Sequence, residues 1–549
     1  MLSTSRRDRH MNTMHIKWKA LAVAGGLAFV ALAGCTDLTV QPKSSVTSAN
    51  IFNDPSAYQE YLARIYAGLA VSGQQGPAGA PDIQGIDEGF SQYLRLYWEC
   101  QELPTDEAVI AWGDIGLPEM NTATWTSSSR MVVAMYYRIY VQAVMANDFL
   151  RQTTAAALAS HGTLSPTLLA QIQSYRAQAR WLRAFSYWNA LDLFGNVPLV
   201  TEANQVGGPP PGQVTRQQLY TYVVNELTAI YDSLPVSGTS GTMGEATQQA
   251  DNMLLAELYL NAGVYTGTPD WTDAMNAAAA VIGSNVYSLQ PTFSHLFNAS
   301  NRNSSEIIFP IESDGQNTQT WGGVTFIIHA GCGGSMSASS YGIDYCWGGT
   351  RIKPQADSLF NVTADHPAGD VRGSMIYTSG QTLGVANISN FNDGYGFPKF
   401  TNLTNGGARG SNPTFVDTWF PVFRLGEAYL IYAEACLRSG GGACAAQALT
   451  YVNDLRQRAY GNTSGNITAA QLTLPFILAE RGRELMWEAH RRTDLIRYGL
   501  FGGANSGNYL WAWKGGVAGG QALSADYNLY PLPGSELTAN PNLKQNPGY

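Results

Sequence analysis

Apolar residues recur every three or four positions over most of the chain, which is the pattern of amphipathic α-helices. This periodicity predicts helices over 54–71, 130–158, 166–194, 215–233, 249–265, 271–283, 424–439, 445–459 and 475–498. Between about 285 and 420, short apolar runs alternate with Gly, Asn and Ser clusters, which predicts loops and brief strands. The pattern therefore predicts a mainly α protein with one irregular, loop-rich part.

Two pairs of predicted helices have the spacing of tetratricopeptide-type hairpins. One pair is 249–265 with 271–283, and the other is 424–439 with 445–459. Small residues at the seams let the paired helices approach closely, and stacked hairpins of this kind build a superhelical scaffold. Any helical hairpin with an Ala-rich seam is the alternative interpretation.

Two of the predicted helices contain patterns that could be mistaken for binding sites. In 166–194, Trp181, Phe185 and Trp188 form a stripe that we expect to lie in the core. The helix 475–498 is densely charged, with Glu488 four residues before Arg492 and Asp494 three before Arg497. We expect a solvated or interdomain salt-bridge lattice there, not an acid/base site.

The first 35 residues have the form of a lipoprotein signal. A basic segment precedes an apolar run from Ala20 to Ala33, and the run ends in Leu32-Ala33-Gly34-Cys35. About 14 apolar residues are too few to span a bilayer, which takes roughly 20. The sequence therefore predicts cleavage after residue 34 and a lipidated Cys35, followed by a polar tether over 35–48.

The net charge bears on the possible binding partners, and the cysteine content bears on the cellular compartment. The chain of 549 residues carries a net charge of −9, and removal of 1–34 takes away five basic residues and one acidic one, leaving −13. This balance disfavours nucleic acid as a partner. Two cysteine pairs are close enough in sequence to form disulfides in an oxidising compartment: Cys332 with Cys346, and Cys436 with Cys444. The sequence leaves open whether they do. If both form, we expect Cys100 to be a buried free thiol.

Catalytic and metal-binding motifs are missing from the sequence. There is no Gly-x-Ser-x-Gly elbow, His-Glu-x-x-His pair, phosphate loop or EF-hand loop, and no histidine of the mature chain has a second histidine or cysteine at metal-binding spacing. Paired carboxylates for glycoside hydrolysis stay open, because only the folded separation would reveal them. The missing motifs disfavour an enzyme, and we predict no cofactor and assign no catalytic or metal-binding residues, while the sequence leaves open whether a metal stabilises a loop.

Several short strings, taken in order, resemble one family closely. They are Cys35 with Leu38-Thr39-Val40-Gln41-Pro42, Leu182-Arg183-Ala184, Phe194-Gly195-Asn196-Val197-Pro198-Leu199, Glu306-Ile307-Ile308-Phe309, Arg424-Leu425-Gly426-Glu427-Ala428-Tyr429-Leu430, Glu480-Arg481, Arg483-Glu484-Leu485, Glu488-Ala489-His490-Arg491, Tyr530-Pro531-Leu532-Pro533 and Asn546-Pro547-Gly548-Tyr549. In this order they resemble the SusD/RagB family of outer-membrane nutrient-binding lipoproteins, from the lipobox to the C-terminus.

The resemblance implies a fold, a location and a partner. Family members are α-helical, with tetratricopeptide-like helix pairs in a right-handed superhelical scaffold that supports a loop-rich part. They are lipid-anchored on the outer membrane, face the exterior, and act with a SusC-like TonB-dependent transporter. They capture oligosaccharide or, in some members, peptide, and they are not enzymes.

The ligand site is predicted from chemistry, because the matching strings are structural ones. Sugar rings stack on aromatic side chains while amides and carboxylates reach their hydroxyls. Neutral, aromatic segments at 83–125 and 315–350 have this character. The candidate ligand-binding residues are Trp98, Trp112, Asn317, Gln319, Trp321, Tyr341, Asp344, Tyr345 and Trp347.

The sequence thus predicts a division of the chain and a role for it. The predicted parts are a signal peptide 1–34, a tether 35–48, an N-terminal helical part 49–284, a loop-rich ligand-binding part 285–420 and a C-terminal helical part 421–549. The predicted role is capture of oligosaccharide for a transporter, with peptide as the alternative ligand. A surface glycosidase or esterase, or a repeat scaffold for protein contacts, is the alternative from another class.

Overall fold

The computed structural model describes residues 51–239 and 241–549, apart from the side chain of Asn53. Residues 55–549 form one compact unit. The lipobox, Cys35 and the tether 35–48 lie outside the described residues. The division into 49–284, 285–420 and 421–549 stays a prediction.

Helices dominate the described residues, as predicted. The α-helices are α1 (Ala57–Ala70), α2 (Tyr93–Glu102), α3 (Leu117–Thr122), α4 (Arg130–Gln152), α5 (Ala155–Ser160), α6 (Pro166–Leu193), α7 (Arg216–Ile230), α8 (Gln248–Leu260), α9 (Ala262–Thr266), α10 (Trp271–Gly283), α11 (Gly323–Ala330), α12 (Pro354–Ser358), α13 (Leu425–Arg438), α14 (Ala445–Tyr460), α15 (Leu474–Leu485), α16 (Arg491–Arg497) and α17 (Gly534–Ala539).

The strands are short and pair antiparallel, two by two. They are β1 (Gly73–Gln75) with β2 (Gly79–Pro81), β3 (Val109–Ile110) with β7 (Thr350–Arg351), β4 (Val197–Pro198) with β5 (Gln213–Val214), and β6 (Ile307–Ile311) with β8 (Phe420–Arg424). The pair β3–β7 matters for the site, because it joins segments that are far apart in sequence.

Both predicted hairpins form, and they pack against each other. Helix α8 packs on α10, α13 packs on α14, and α10 also packs on α13. The stripe of Trp181, Phe185 and Trp188 is buried in the main core, as expected. Arg180 and Arg183 of α6 reach Glu226 of α7 at 2.7 and 2.8 Å, so the polar side of α6 ties it to its neighbour.

The prediction of one helix over 475–498 was wrong. Helices α15 and α16 are separated at 486–490, where Trp487 and Ala489 have φ angles of 65° and 66°. Carboxylates distant in sequence hold this break: Trp487 donates its backbone N–H to Glu107 at 3.1 Å, and Ala489 donates to Glu102 at 2.6 Å. These tertiary contacts outweigh the local helical pattern. The predicted helix 130–158 is likewise divided, into α4 and α5.

The charges of 480–497 do pair, but they are buried instead of solvated. Asp494 meets Arg497 at 2.7 Å, as the spacing predicted. Glu488, in contrast, pairs with Arg424 and Lys399, both at 2.6 Å, and not with Arg492. Charged side chains from distant segments therefore complete this lattice inside the compact unit.

Both cysteine pairs left open by the sequence are disulfides: Cys332–Cys346 and Cys436–Cys444. Cys100 is a buried free thiol, as predicted.

Candidate functional site

Five rings form a partly exposed surface, which we call the aromatic platform: Trp112, Trp321, Tyr345, Trp347 and Phe415. Trp347 is at its centre, with ring centroids 6.2 Å from Trp112, 6.2 Å from Trp321 and 6.3 Å from Tyr345. Phe415 lies 4.8 Å from Trp321. Tyr345 is the most open ring at 49% exposure, and the other four are half-buried. The fold therefore brings four of the predicted residues into one surface.

Helix α11 supports the platform from below, and it was not among the helices predicted from periodicity. Its residues are all buried. Phe326 meets the edge of Trp112 with centroids 5.8 Å apart, and His329 stacks against Trp347 at 4.5 Å. Its eight residues are mostly apolar apart from Thr325 and His329, and so short a segment is as typical of a buried strand as of a buried helix, so its type could not be read from the pattern.

Trp98 requires a correction, because it is a core residue. The ring is 0% exposed and packs against Phe326 and Trp487 beneath the platform. Its indole N–H donates to the carbonyl oxygen of Trp487 at 3.1 Å. Trp98 therefore holds the platform's support and is not part of the ligand surface.

The loop that carries Tyr345 and Trp347 is fixed to the end of α11. Trp347 donates its backbone N–H to the carbonyl of His329 at 2.8 Å, and Gly348 donates to that of Cys332 at 2.8 Å. The disulfide Cys332–Cys346 closes the same loop covalently. At Gly349, a Cβ atom would lie only 2.9 Å from the ring of Trp112, so glycine permits the close approach of that ring.

Asn317 and Gln319 lie on a rim loop, 314–319, that precedes Trp321. Asp314 accepts backbone N–H groups of Gln316 at 2.8 Å and Asn317 at 3.0 Å, and these bonds lower the pKa of its carboxyl group. Asn317 is exposed, whereas Gln319 donates its amide to the carbonyl of Gly315 at 2.9 Å. Asn317 thus offers an exposed amide that also bonds the Asp314 carboxylate, and the Gln319 amide is partly engaged by Gly315.

Asp344 and Tyr341 differ in their relation to the platform. Asp344 is exposed and accepts a hydrogen bond from the Thr414 hydroxyl, next to Phe415. Tyr341 is half-buried, and burial raises the pKa of its hydroxyl, with Tyr377 as a further contributor. Its ring makes no ring contact with the five platform residues among the described part of the chain. Asp344 is therefore at the platform's edge, and the role of Tyr341 stays a prediction.

Phe415 and Arg95 belong to the site or its support and were missed as candidates. The Arg95 guanidinium lies 4.1 Å from the ring centroid of Phe326 and 5.6 Å from that of Trp112, and it pairs with Glu99 at 2.8 Å. Phe415 stands in an irregular loop with no pattern that distinguishes it. Only the tertiary structure places it against Trp321.

Two cavities lie apart from the platform rings. One cavity of about 330 Å³ is lined by Tyr66, Tyr175, Glu245 and Glu312, among others. A second of about 670 Å³ lies along α4 near Tyr137. No platform ring lines either one. Partly exposed rings outside a cavity suit a chain-like ligand better than a small molecule that must be enclosed.

Within the described residues, one group could hold a metal ion: Glu257, Glu427 and His490, whose ligand atoms lie within 4.8 Å of one another. All three side chains are buried. A guanidinium nitrogen of Arg481 already lies 3.7 Å from Glu257 and supplies positive charge there. We therefore assign this group to the buried ion-pair lattice of the scaffold.

Solved structures share the fold of this protein. A SusD superfamily protein from Bacteroides thetaiotaomicron aligns with a TM-score of 0.68 and 20% identity, covering 90% of this chain and 99% of that one. Surface glycan-binding protein A from the same organism, solved in complex with laminarihexaose, aligns with a TM-score of 0.65 and 20% identity, covering 89% and 98%. This chain therefore has the same fold as these two solved structures.

Sequence relatives then identify the family. A model of the SusD family matches residues 305–549. The starch-binding protein SusD of B. thetaiotaomicron is 33% identical over 589 aligned positions, covering 98% of this chain and all of the relative. SusD-like protein P2 of Formosa agariphila is 25% identical over 94% of this chain and 97% of its own length. This chain belongs to the SusD family.

Family membership also bears on catalysis. Members of the SusD family are binding proteins and not enzymes, so the non-catalytic role predicted from the sequence agrees with the family.

Proposed function

We propose that this protein is a cell-surface lipoprotein that binds a glycan on the aromatic platform and delivers it to a SusC-like TonB-dependent outer-membrane transporter. The observation that carries the proposal is the platform itself, in which the partly exposed rings of Trp112, Trp321 and Tyr345 each lie 6.2 to 6.3 Å from the ring of Trp347. Aromatic rings stack on the flat C–H faces of sugar rings, and several neighbouring rings suit an oligosaccharide.

Polar groups at the edge of the platform complete the chemistry. The exposed amide of Asn317 and the carboxylate of Asp344 flank the rings and can bond sugar hydroxyls. The names of two similar proteins support a glycan: one is described as starch-binding, and the other was solved with laminarihexaose.

The anchoring part of the proposal rests on the sequence. Lipidation of Cys35 would hold the mature chain on the membrane, because more than one acyl chain gives stable attachment. None of the helices in residues 51–239 and 241–549 is both long and apolar enough to cross a bilayer. Cys35→Ser should move the protein into the soluble fraction. Retention of this variant in washed membranes without a transporter would contradict the anchor.

A binding screen tests the ligand class. The soluble Cys35→Ser protein is mixed with polysaccharides, oligosaccharides and peptides, and thermal shift and cleavage products are both recorded. We expect stabilisation by a glycan without cleavage. Stabilisation by peptides alone would mean that the ligand is a peptide and not a glycan. Cleavage of any compound would overturn the non-catalytic role.

Substitution of Trp321 tests the site. Trp321→Ala should weaken glycan binding at least about twofold, because one lost stacking contact costs about 0.5–1.5 kcal/mol. Trp271→Ala is the matched control, since this half-buried ring begins α10 of the scaffold and faces Arg438. A smaller loss in Trp321→Ala, or an equal loss in both variants, would remove Trp321 from the ligand surface.

A further inference from the structure

His329 lies near the C-terminal end of α11 and contacts both loops that meet on the platform. Its buried ring stacks under Trp347 with the ring planes 26° apart. Nδ1 lies 2.8 Å from the carbonyl oxygen of Tyr345, and Nε2 lies 2.9 Å from the carbonyl oxygen of Thr414. One ring therefore bridges the loop of Tyr345 and Trp347 to the loop of Thr414 and Phe415.

The protonation state of His329 decides how many of these two hydrogen bonds it can make. Carbonyl oxygens only accept hydrogen bonds, and a neutral imidazole has a single N–H to donate. In the neutral form, one ring nitrogen turns a lone pair toward a carbonyl oxygen less than 3 Å away. The imidazolium form, with two N–H groups, makes both bonds at once.

The groups around His329 act on its charge in opposite directions. Burial lowers its pKa below the ordinary value, while the carbonyls of Tyr345 and Thr414 and the carboxylate of Asp344 favour the charged ring. Asp344 lies 4.0 Å from Nδ1, and the Tyr345 ring, the other titratable group on this loop, lies 5.6 Å away. Because the pKa is lowered, the neutral ring prevails at pH 7 and the second proton is taken up under acidic conditions.

We propose that His329 is a positioning residue of the platform, and that its protonation ties the two platform loops together and strengthens glycan binding. The second half rests on the proposed function. If the bound glycan requires both loops in place, it binds the protonated form better. By linkage, affinity then rises as pH falls.

The first half is tested without any glycan, by hydrogen–deuterium exchange. Peptides covering 344–349 and 411–416 are followed between about pH 5 and pH 8, with rates corrected for intrinsic exchange. Both loops should become several-fold better protected at the acidic end in the wild type and in His295→Gln, but not in His329→Gln. Unchanged protection in the wild type, or the same gain in His329→Gln, overturns the bridging role.

The second half is tested by affinity for laminarihexaose and maltohexaose over the same pH range. We expect binding about fivefold tighter at the acidic end in the wild type, and a weaker, flat profile in His329→Gln. A flat wild-type profile overturns the effect on binding. If no oligosaccharide binds at either pH, the proposed function fails while the exchange result still decides the bridge. If His329→Gln does not fold, His329→Asn and the wild-type profile carry the test.

Discussion

Residues 480–497 and residues 315–349 are opposite in composition and in exposure. The first segment contains nine charged side chains, and every residue in it is buried. The second contains one acid, Asp344, and no Lys or Arg, yet it presents Trp321, Tyr345 and Trp347 at the surface. The region richest in ionisable groups is thus scaffold, and the neutral region carries the candidate site.

The physical reason is that buried charges survive only when they are matched. Arg424, for example, forms ion pairs with three carboxylates, those of Glu306, Glu484 and Glu488, at 2.9, 2.6 and 2.6 Å. Its charge is therefore balanced by protein groups and is not available to a ligand. Exposed rings, in contrast, have open faces on which a ligand can stack. A dense cluster of acids and bases is therefore poor evidence for a site unless some group is left unmatched.

The largest effect should come from breaking the buried lattice. Arg424→Met leaves three buried carboxylates without this partner and should lower the free energy of unfolding by about 3–5 kcal/mol, measured by urea denaturation of the soluble Cys35→Ser protein. Arg151→Met is the control, because its pair with Asp148 is partly exposed at 3.7 Å and is worth less than about 1 kcal/mol. Equal, small losses of stability in Arg424→Met and Arg151→Met would contradict the distinction between buried and exposed ion pairs. Failure of Arg424→Met alone to fold would agree with it.

The two disulfides should differ in their effect on glycan binding, because only one of them lies at the site. Replacing either pair with serine should cost about 2–3 kcal/mol of stability, because the closed loops span 14 and 8 residues. Loss of Cys332–Cys346 should also weaken glycan binding, since that bond holds the loop of Tyr345 and Trp347. Calorimetric titration of both double variants checks this. An unchanged affinity without Cys332–Cys346 would show that the hydrogen bonds to α11 suffice.

One buried acid of the scaffold has no hydrogen-bond partner among the described residues, and its replacement should raise the stability of the protein instead of lowering it. Asp251 of α8 is buried, neither carboxylate oxygen has a hydrogen-bond partner in the described part of the chain, and burial raises its pKa to about 8. The unfolded chain releases this proton near pH 4. Between about pH 4 and pH 8, Asp251 therefore costs stability, and the cost grows with pH.

Asp251→Asn should raise the free energy of unfolding by about 1–3 kcal/mol at pH 7 and by little near pH 4. Urea denaturation at both values measures the difference. Asp273→Asn, at an exposed position of α10, should change stability at neither pH. Destabilisation by Asp251→Asn at pH 7 would mean that the carboxylate has a favourable role in the fold.

The smallest effect concerns a single ring of the platform. Tyr345→Ala should weaken glycan binding about two- to fivefold, with stability changed by less than about 0.5 kcal/mol, because the ring is largely open to solvent. Tyr345→Phe keeps the ring and should retain most of the affinity. A loss in Tyr345→Phe equal to that in Tyr345→Ala would assign the contribution to the hydroxyl.

Most of the scaffold could be predicted, because its signals are local. The stripe of Trp181, Phe185 and Trp188 and the two hairpins follow from residues three and four positions apart. The break at 486–490 could not, since Trp487 and Ala489 are held by Glu107 and Glu102 from 380 or more positions earlier in the chain. The burial of Trp98 was beyond the pattern for the same reason.

By itself the sequence determined the helical class, the hairpins, the neutral aromatic character of 315–350 and the resemblance to the SusD/RagB family. Only the tertiary structure decided which rings share a surface. Trp112 donates its indole N–H to the carbonyl of Trp347, 235 positions away, and Phe415 joins them from a third segment. Periodicity reports contacts between near neighbours in the chain, whereas a platform is made by long-range packing that each segment's own pattern does not encode.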